Sequence, residues 1–350
     1  MSVDRERLPE YLADLTLTPA TRLLWRSPDS VHLERAGSGV VVDGLPPAVV
    51  ADLAAPERPG RSRPAIEGRL TARLAPVLER LVEAGYLWSR ARAGRPDPRV
   101  AAPVPRLAGQ LTSLSARHGA SAAHLLNARR YATVEVTGRS RLVPSIAAVV
   151  AAAGVGHVHC AVEGSTRLHH AVPGGATPAD ESAPFAVAGE AAVRRAAPET
   201  RTGPLAPDER PDLTVVASEA PVPEDRLGAL HAAGAPYLAV RLGPDSGVVG
   251  PLVLPGTTSC LRCADLHRSD RDPAWNALAV QLTIDRRGGP PADVAVATII
   301  AGVAAQQALA FLDGEATPTM DGTLELQLPD WRLRRRSWPV HPQCTCPSGQ

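Results

Sequence analysis

The sequence predicts an α/β protein in which a Rossmann-like domain with a structural zinc site follows a small winged-helix-like module. A β-α-β pattern that begins at Thr133 marks the start of the larger domain. Four of the five cysteines fall into two close pairs in its C-terminal part. We therefore expect three regions: residues 1–95 form the winged-helix-like domain, residues 96–128 a linker with an entry helix, and residues 129–350 the α/β domain.

The two cysteine pairs carry the clearest chemistry in the sequence. They are Cys260 with Cys263, in Cys-Leu-Arg-Cys, and Cys344 with Cys346, in Cys-Thr-Cys. Two tight turns that each offer two thiolates match the ligands of a tetrahedral zinc ion, and thiolates favour zinc over magnesium or calcium. Because Cys-x-Cys is an unusually tight spacing, His341 or His267 is an alternative to one cysteine ligand. A disulfide pair and scattered core cysteines are the competing interpretations. We expect a structural zinc ion.

Composition and charge favour a soluble, cytoplasmic protein. The formal net charge is +1, which indicates no general attraction to nucleic acid or to membranes. All 37 basic residues are arginine, so the chain contains no lysine. The start of the sequence is charged and does not resemble a signal peptide. The longest apolar run, from Val294 to Leu312, contains Gln306 and Gln307, which favours a buried helix over a membrane span.

The N-terminal module alternates strand and helix patterns. The predicted elements are strands at 22–25, 30–34 and 39–43, a helix at 48–54, a Pro/Arg/Gly-rich loop at 56–65, a helix from Leu70 to Val82, and a strand at 86–88. Ala36-Gly37-Ser38-Gly39 provides the turn of a hairpin, and Gly85 provides a helix C-cap.

Three interpretations of this module stay open. A winged-helix-like shape suggests DNA binding, but residues 1–95 hold 14 arginines and 12 acidic residues and contain no strongly basic helix. The apolar positions are also compatible with an ordinary core. The third interpretation is a peptide groove, in which the edge of the hairpin accepts an extended peptide and the neighbouring helix supplies pockets. The candidate peptide contacts are Leu33, Val41, Leu74, Leu78 and Leu81.

The loop after the first strand of the β-α-β unit is a poor phosphate cradle. Nucleotide-binding folds place Gly-x-Gly-x-x-Gly here, because glycines let the backbone approach a pyrophosphate. In this chain Gly138 stands at the first glycine position, whereas Ser140 and Val143 stand at the second and third. The loop therefore predicts weak nucleotide binding.

Several runs resemble a known family. The segments GVGHVHCAV, PDLTVVASE, GPLVLPGTTSCLRC and HPQCTC are similar to those of ThiF-type adenylyltransferases, relatives of the ubiquitin-activating enzymes. The last two runs more narrowly resemble the cyclodehydratase partner proteins of azole-forming (TOMM) peptide biosynthesis. That resemblance implies a ThiF-like domain with a zinc site, joined to a winged-helix element that recognises a leader peptide. It covers roughly residues 130–350 by motif and 20–95 more loosely.

The adenylylation residues of the family do not carry over to this chain. Val162 stands where the resemblance implies a ribose-binding acid, and Glu163 lies one place late. Glu219 stands where the resemblance implies a metal-binding aspartate. Pro223 and Leu227 lie near the positions of the arginine and the asparagine that follow it in the family. The phosphate-neutralising lysine of the family is absent. The planar guanidinium group of an arginine differs in shape from the ammonium group of a lysine and does not replace it. Gly138 and Glu219 are thus the candidates of a degenerate nucleotide site, and we expect ATP not to bind and the chain not to be catalytic on its own.

The function hypothesis is a non-catalytic partner that binds a precursor or leader peptide and presents it to a YcaO-type cyclodehydratase. The alternatives are an ATP-dependent adenylyltransferase of the ThiF type and a zinc-stabilised DNA-binding regulator. Degeneration of the phosphate loop argues against the first alternative, and the balanced charge of residues 1–95 against the second. We expect no nucleic-acid or membrane partner. The cognate peptide and the formation of a homodimer stay open.

Overall fold

The computed structural model describes most of the chain, and it divides into two compact units, Met1–Ala128 and Arg129–Gln350. The described residues are 15–18, 21–35, 37–54, 74–89, 104–220, 222, 224–284 and 292–346. The predicted loop at 56–65, the Leu70 end of the following helix and Pro223 lie outside them. The finer division of the first unit near residue 95 stays a prediction.

The first unit contains two small antiparallel sheets. Its strands are β1 (Leu15–Leu17), β2 (Arg22–Ser27), β3 (Ser30–Arg35), β4 (Ser38–Asp43) and β5 (Leu87–Ser89). The helices up to the unit boundary are α1 (Pro47–Ala54), α2 (Ala75–Glu83), α3 (Ala108–His118) and α4 (Ala122–Arg129). β1 pairs with β5, and the other three strands form a sheet in the order β2-β3-β4. The predicted hairpin is thereby confirmed, whereas the winged-helix assignment stays a prediction.

The core of the first unit lies between its strands and α1 and α2. β3 is the central strand, and its inward side chains join those of β4 and of both helices in one apolar cluster. Leu33, Leu78 and Leu81 belong to this cluster and are at most 4% exposed. α2 ends where Gly85 takes a φ of 74°, a left-handed conformation that glycine adopts without strain.

The second unit is built on a mixed seven-stranded sheet in the order β12-β11-β10-β9-β8-β6-β7. Its strands are β6 (Thr133–Arg139), β7 (His157–Ala161), β8 (Leu213–Ser218), β9 (Tyr237–Leu242), β10 (Ser246–Val253), β11 (Gly322–Gln327) and β12 (Arg334–Ser337). Strands β7, β6, β8 and β9 are mutually parallel, and β9 to β12 pair antiparallel. The predicted β-α-β unit is confirmed as β6 and β7 with the helix between them.

Helices cover both faces of this sheet. The helices of the unit are α5 (Leu142–Ala152), α6 (Phe185–Ala196), α7 (Glu224–Ala232), α8 (Leu261–Ser269), α9 (Trp275–Ile284) and α10 (Val294–Leu312). α5 packs against α6 and α10 over the main core. Tyr237 and Val253 point to the opposite face from Leu238 and Leu252, because side chains alternate along a strand, and they meet α7 and α8 there.

α10 is long and apolar enough to cross a membrane by composition. In the structure it packs on the sheet, and a Cβ on Gly247 of β10 would overlap the Ile300 side chain. Ten of its residues are buried, among them Gln307, which accepts a hydrogen bond from Thr319. This is the setting of a core helix, as the sequence predicts.

A buried ion pair fixes the start of the second unit. The Arg129 guanidinium donates from Nε and Nη2 to the two carboxylate oxygens of Asp313 at 2.8 and 2.6 Å, and from Nη1 to the Ala153 carbonyl. Both charged side chains are at most 2% exposed. Within the second unit, the pair ties Arg129 to the residues that follow α5 and α10.

Removal of one partner of this buried ion pair should destabilise the folded protein. Asp313→Ala should lower the free energy of unfolding by about 3–5 kcal/mol, because it leaves the Arg129 charge buried without a counter-charge. Glu190→Ala, which removes the partner of the exposed Arg194 at 2.7 Å, should cost under about 1 kcal/mol. Urea unfolding of both variants measures the difference. Equal losses of unfolding free energy in the two variants would contradict the assignment of a buried, stabilising ion pair.

Candidate functional site

The four paired cysteines converge in one buried cluster. Cys260 is the N-cap of α8 and Cys263 lies in its first turn, whereas Cys344 and Cys346 lie in the segment after β12. The Sγ atom of Cys260 lies 3.9 Å from that of Cys263 and 3.7 Å from that of Cys344. The Sγ atom of Cys263 lies 3.3 Å from that of Cys346. Four sulfurs bound to a tetrahedral zinc ion at their usual bond length lie about 3.8 Å apart. The cluster therefore fits a zinc ion, and these distances exclude a disulfide.

Two histidines brace this cluster. His341 is buried; its Nε2 pairs with Asp270 at 2.9 Å, and its Nδ1 accepts a hydrogen bond from the Gln343 backbone at 3.1 Å. His267 Nε2 contacts the Pro339 carbonyl at 3.0 Å. Both ring nitrogens of His341 are thus engaged, and the four cysteines by themselves supply the four ligands of a tetrahedral ion. The histidines hold the C-terminal segment against α8.

The thiols of the cluster differ in acidity. Burial raises the pKa of Cys260 to about 11 and also raises that of Cys346. Burial acts in the same direction on Cys263, but hydrogen bonds, first among them one to the His341 backbone, bring its pKa below the ordinary value. Because zinc binds thiolates, metal binding releases protons from these groups and weakens as the pH falls.

Gly138 lies in β6 at the edge where the parallel strands end, which is the position of the phosphate cradle in nucleotide-binding folds. Gly138 has a φ of 117°, and a Cβ there would lie 1.9 Å from the Ala217 carbonyl oxygen. The glycine is therefore required by the close approach of β6 to β8. Val162, at the expected ribose acid, packs against the main core instead.

Glu219 reaches the N-terminus of α5. Its Oε1 accepts hydrogen bonds from the Arg141 backbone at 3.2 Å and from the Ser140 hydroxyl at 3.4 Å. The Arg141 guanidinium donates from Nη1 to the His169 carbonyl at 3.0 Å, and Arg226 donates to the Thr137 hydroxyl. A helix N-terminus attracts anions because its N–H groups are unpaired. Here a carboxylate of the protein fills that position. The sequence did not indicate this role of Glu219, nor that of Arg226.

The candidate peptide contacts occupy different positions in the first unit. Leu33, Leu78 and Leu81 lie in the core, where they support the fold, and Leu74 is half-buried against it. Val41 is 40% exposed on β4, which pairs on one side only, with β3, among the described residues. Gly44 donates its N–H to Asp29 on the β3 side. Because N–H directions alternate along a strand, the Val41 N–H points to the open edge.

Purified protein should contain one zinc ion per chain. Cys260→Ser should abolish metal binding and lower the melting temperature, because zinc binding contributes directly to folding. Cys160→Ser is the matched control, since Cys160 is a buried core thiol whose pKa burial raises to about 12. Elemental analysis measures the metal content of both variants, and thermal melts with and without chelator measure their melting temperatures. A metal-free protein that melts identically with chelator would contradict the zinc assignment.

Solved structures resemble this chain over nearly its whole length. No protein-family model and no curated protein matches it. E. coli MccB with ATP has 14% identity and a TM-score of 0.70, covering 95% of this chain and 99% of that chain. The microcin C7 biosynthetic enzyme MccB in complex with N-formylated MccA has 14% identity and a TM-score of 0.68 at the same coverage. A heterocyclase in complex with substrate and cofactor has 15% identity and a TM-score of 0.60, covering 95% of this chain but 39% of that chain.

At these identities the likeness shows the fold and not the activity. MccB is a ThiF-like protein of microcin C7 biosynthesis. The ThiF-type resemblance inferred from the sequence is therefore confirmed at the level of the fold, over 95% of this chain.

Proposed function

We propose that this protein is a non-catalytic ThiF-like partner that binds the leader segment of a precursor peptide. It presents that peptide to a separate YcaO-type cyclodehydratase in azole-forming ribosomal peptide biosynthesis. The observation that carries the proposal is the position of Glu219, whose carboxylate accepts hydrogen bonds at the N-terminus of α5. This is where a nucleotide-binding fold needs room for phosphate.

Three features argue against nucleotide activation. A triphosphate bound at this edge would have to displace the Glu219 carboxylate or meet its negative charge. The chain has no lysine to neutralise the phosphates. Val162 offers no carboxylate for a ribose hydroxyl. Each loss alone weakens nucleotide binding, and together they favour a binding role over an adenylylating one.

The first unit offers a surface for an extended peptide. The outward edge of β4 has no strand partner among the described residues, and its Val41 side chain is exposed. An extended peptide that pairs with such an edge gains backbone hydrogen bonds, and neighbouring side chains add selectivity. The similar solved structures include MccB with MccA and a heterocyclase with substrate, which supports a role in peptide modification.

The second candidate is an ATP-dependent adenylyltransferase. It is favoured by the match to MccB solved with ATP, which extends over 95% of this chain. In that case Glu219 would serve as a metal ligand and would turn away from the α5 N-terminus when nucleotide binds. The two candidates make opposite predictions for the binding of ATP by this protein.

The full-length protein should show no ATP–pyrophosphate exchange and no heat of binding when titrated with Mg-ATP. Glu219→Gln removes the negative charge but keeps the side-chain length, so it should leave exchange absent while weakening the cap of α5. Glu163→Gln, at the same edge of the sheet, is the matched control. Micromolar ATP affinity that disappears in Glu219→Ala would support the adenylyltransferase instead.

Val41→Pro should abolish binding of a leader peptide while preserving the fold. Proline is tolerated on an edge strand, and at this position it removes the outward N–H that a peptide would accept. Val41→Ala keeps that N–H and should lose little affinity. Fluorescence anisotropy with labelled candidate leader peptides measures binding, and circular dichroism checks the fold. Unchanged affinity of the proline variant, or salt-sensitive binding of duplex DNA in place of peptide, would contradict the proposal.

A further inference from the structure

One helix carries the first cysteine pair at its start and an acidic residue at its end. α8 has Cys260 as its N-cap, Cys263 in its first turn and Asp270 as its C-cap. The Asp270 backbone N–H closes the last turn on the Leu266 carbonyl at 2.9 Å. The main chain of Asp270 is therefore fixed by the same helix that fixes two of the four sulfurs.

The second cysteine pair lies on irregular backbone. The described segment 338–346, which follows β12 and carries Cys344 and Cys346, contains turns but no helix or strand. The Cys344 N–H donates to the His341 carbonyl at 2.9 Å and closes one of these turns. Fixing such a segment costs conformational entropy, so metal ligands on it bind more tightly when other contacts order the segment first.

His341 supplies contacts that order this turn. It is buried, and its backbone N–H donates to the Cys263 sulfur. Its Nδ1 accepts a hydrogen bond from the Gln343 backbone at 3.1 Å, and its Nε2 lies 2.9 Å from Oδ2 of Asp270. Because Nδ1 accepts, the proton of the neutral ring is on Nε2, which donates it to the Asp270 carboxylate. The imidazole ring thus ties the turn to the end of α8.

A second metal site is the alternative use of these side chains. Ligand atoms of His267, Asp270 and His341 all lie within 4.8 Å of one another. A metal on Nε2 of His341 would move the ring proton to Nδ1, where it would meet the N–H of Gln343. His267 Nε2 donates to the Pro339 carbonyl at 3.0 Å, since a carbonyl only accepts. Both Nε2 atoms therefore serve as hydrogen-bond donors, and the group favours an anchor over a second ion.

We propose that Asp270 is a positioning residue for the zinc site, which holds Cys344 and Cys346 in place for the metal through its hydrogen bond to His341. The Asp270 side chain is 60% exposed, so it does not fill the core. Hydrogen bonds from outside the ligand set change the affinity of a metal site by about 10–100-fold. The proposal rests on the zinc assignment and does not depend on the proposed peptide binding.

Zinc release from the full-length protein tests the proposal. A chromogenic chelator in excess reports the rate of release, and competition titration with the same chelator reports the affinity. Asp270→Ala should weaken zinc binding about tenfold. Asp270→Asn should restore most of the affinity, because its amide oxygen can accept the same hydrogen bond from Nε2. Asp272→Ala is the matched control, since Asp272 also follows α8 and its carboxylate accepts from the Ala274 backbone.

Two further measurements separate positioning from a general loss of stability. If Asp270 acts through His341, the double variant Asp270→Ala/His341→Ala should bind zinc no more weakly than His341→Ala alone. The melting temperature of Asp270→Ala should fall further below that of the wild type with zinc than in excess chelator, because the loss lies in metal binding. Unchanged zinc affinity in Asp270→Ala, additive losses in the double variant, or a second zinc ion per chain that Asp270→Ala removes would overturn the proposal.

Discussion

Four cysteine sulfurs, none more than 4.8 Å from another, hold the start of α8 against the last segment of the chain. The antiparallel half of the sheet depends on this contact. Cys260 follows β10 and Cys344 follows β12, so a metal between them fixes the strand at the edge of the sheet, whose own residues are all exposed. Trp338 is buried beside this strand and donates to Thr323 of β11. The same cysteines line a cavity of about 400 Å³ on this face of the sheet.

At the opposite end of the sheet, Glu219 lies beside the N-terminus of α5. Ser140 pairs with the first N–H groups of α5, since its hydroxyl accepts from Leu142 and its carbonyl from Val143. Glu219 accepts a hydrogen bond from the Arg141 N–H, just before the helix. Nucleotide-binding folds place phosphate at this point of the sheet.

Sequence patterns predicted the elements with strong local periodicity and the cysteine set, because both depend on spacing along the chain. They did not predict contacts between residues far apart in sequence. Glu219 and Arg141 lie 78 positions apart, and no local pattern links them. The cavity draws its lining from residues 220 to 346. Leu33 was a candidate peptide contact because its hairpin was expected to have a free edge there, but β2 pairs with β3 on its other side and makes it a central strand.

The central claim is that this chain assists a peptide-modifying enzyme and does not activate the peptide itself. Mass spectrometry of a candidate precursor peptide, incubated with a YcaO-type cyclodehydratase and ATP, tests it most directly. The account predicts loss of one water per ring formed only when this protein is added, with the same yield from its Glu219→Gln variant. An adenylylated peptide formed by this protein and ATP alone, or ring formation that is independent of it, would contradict the account.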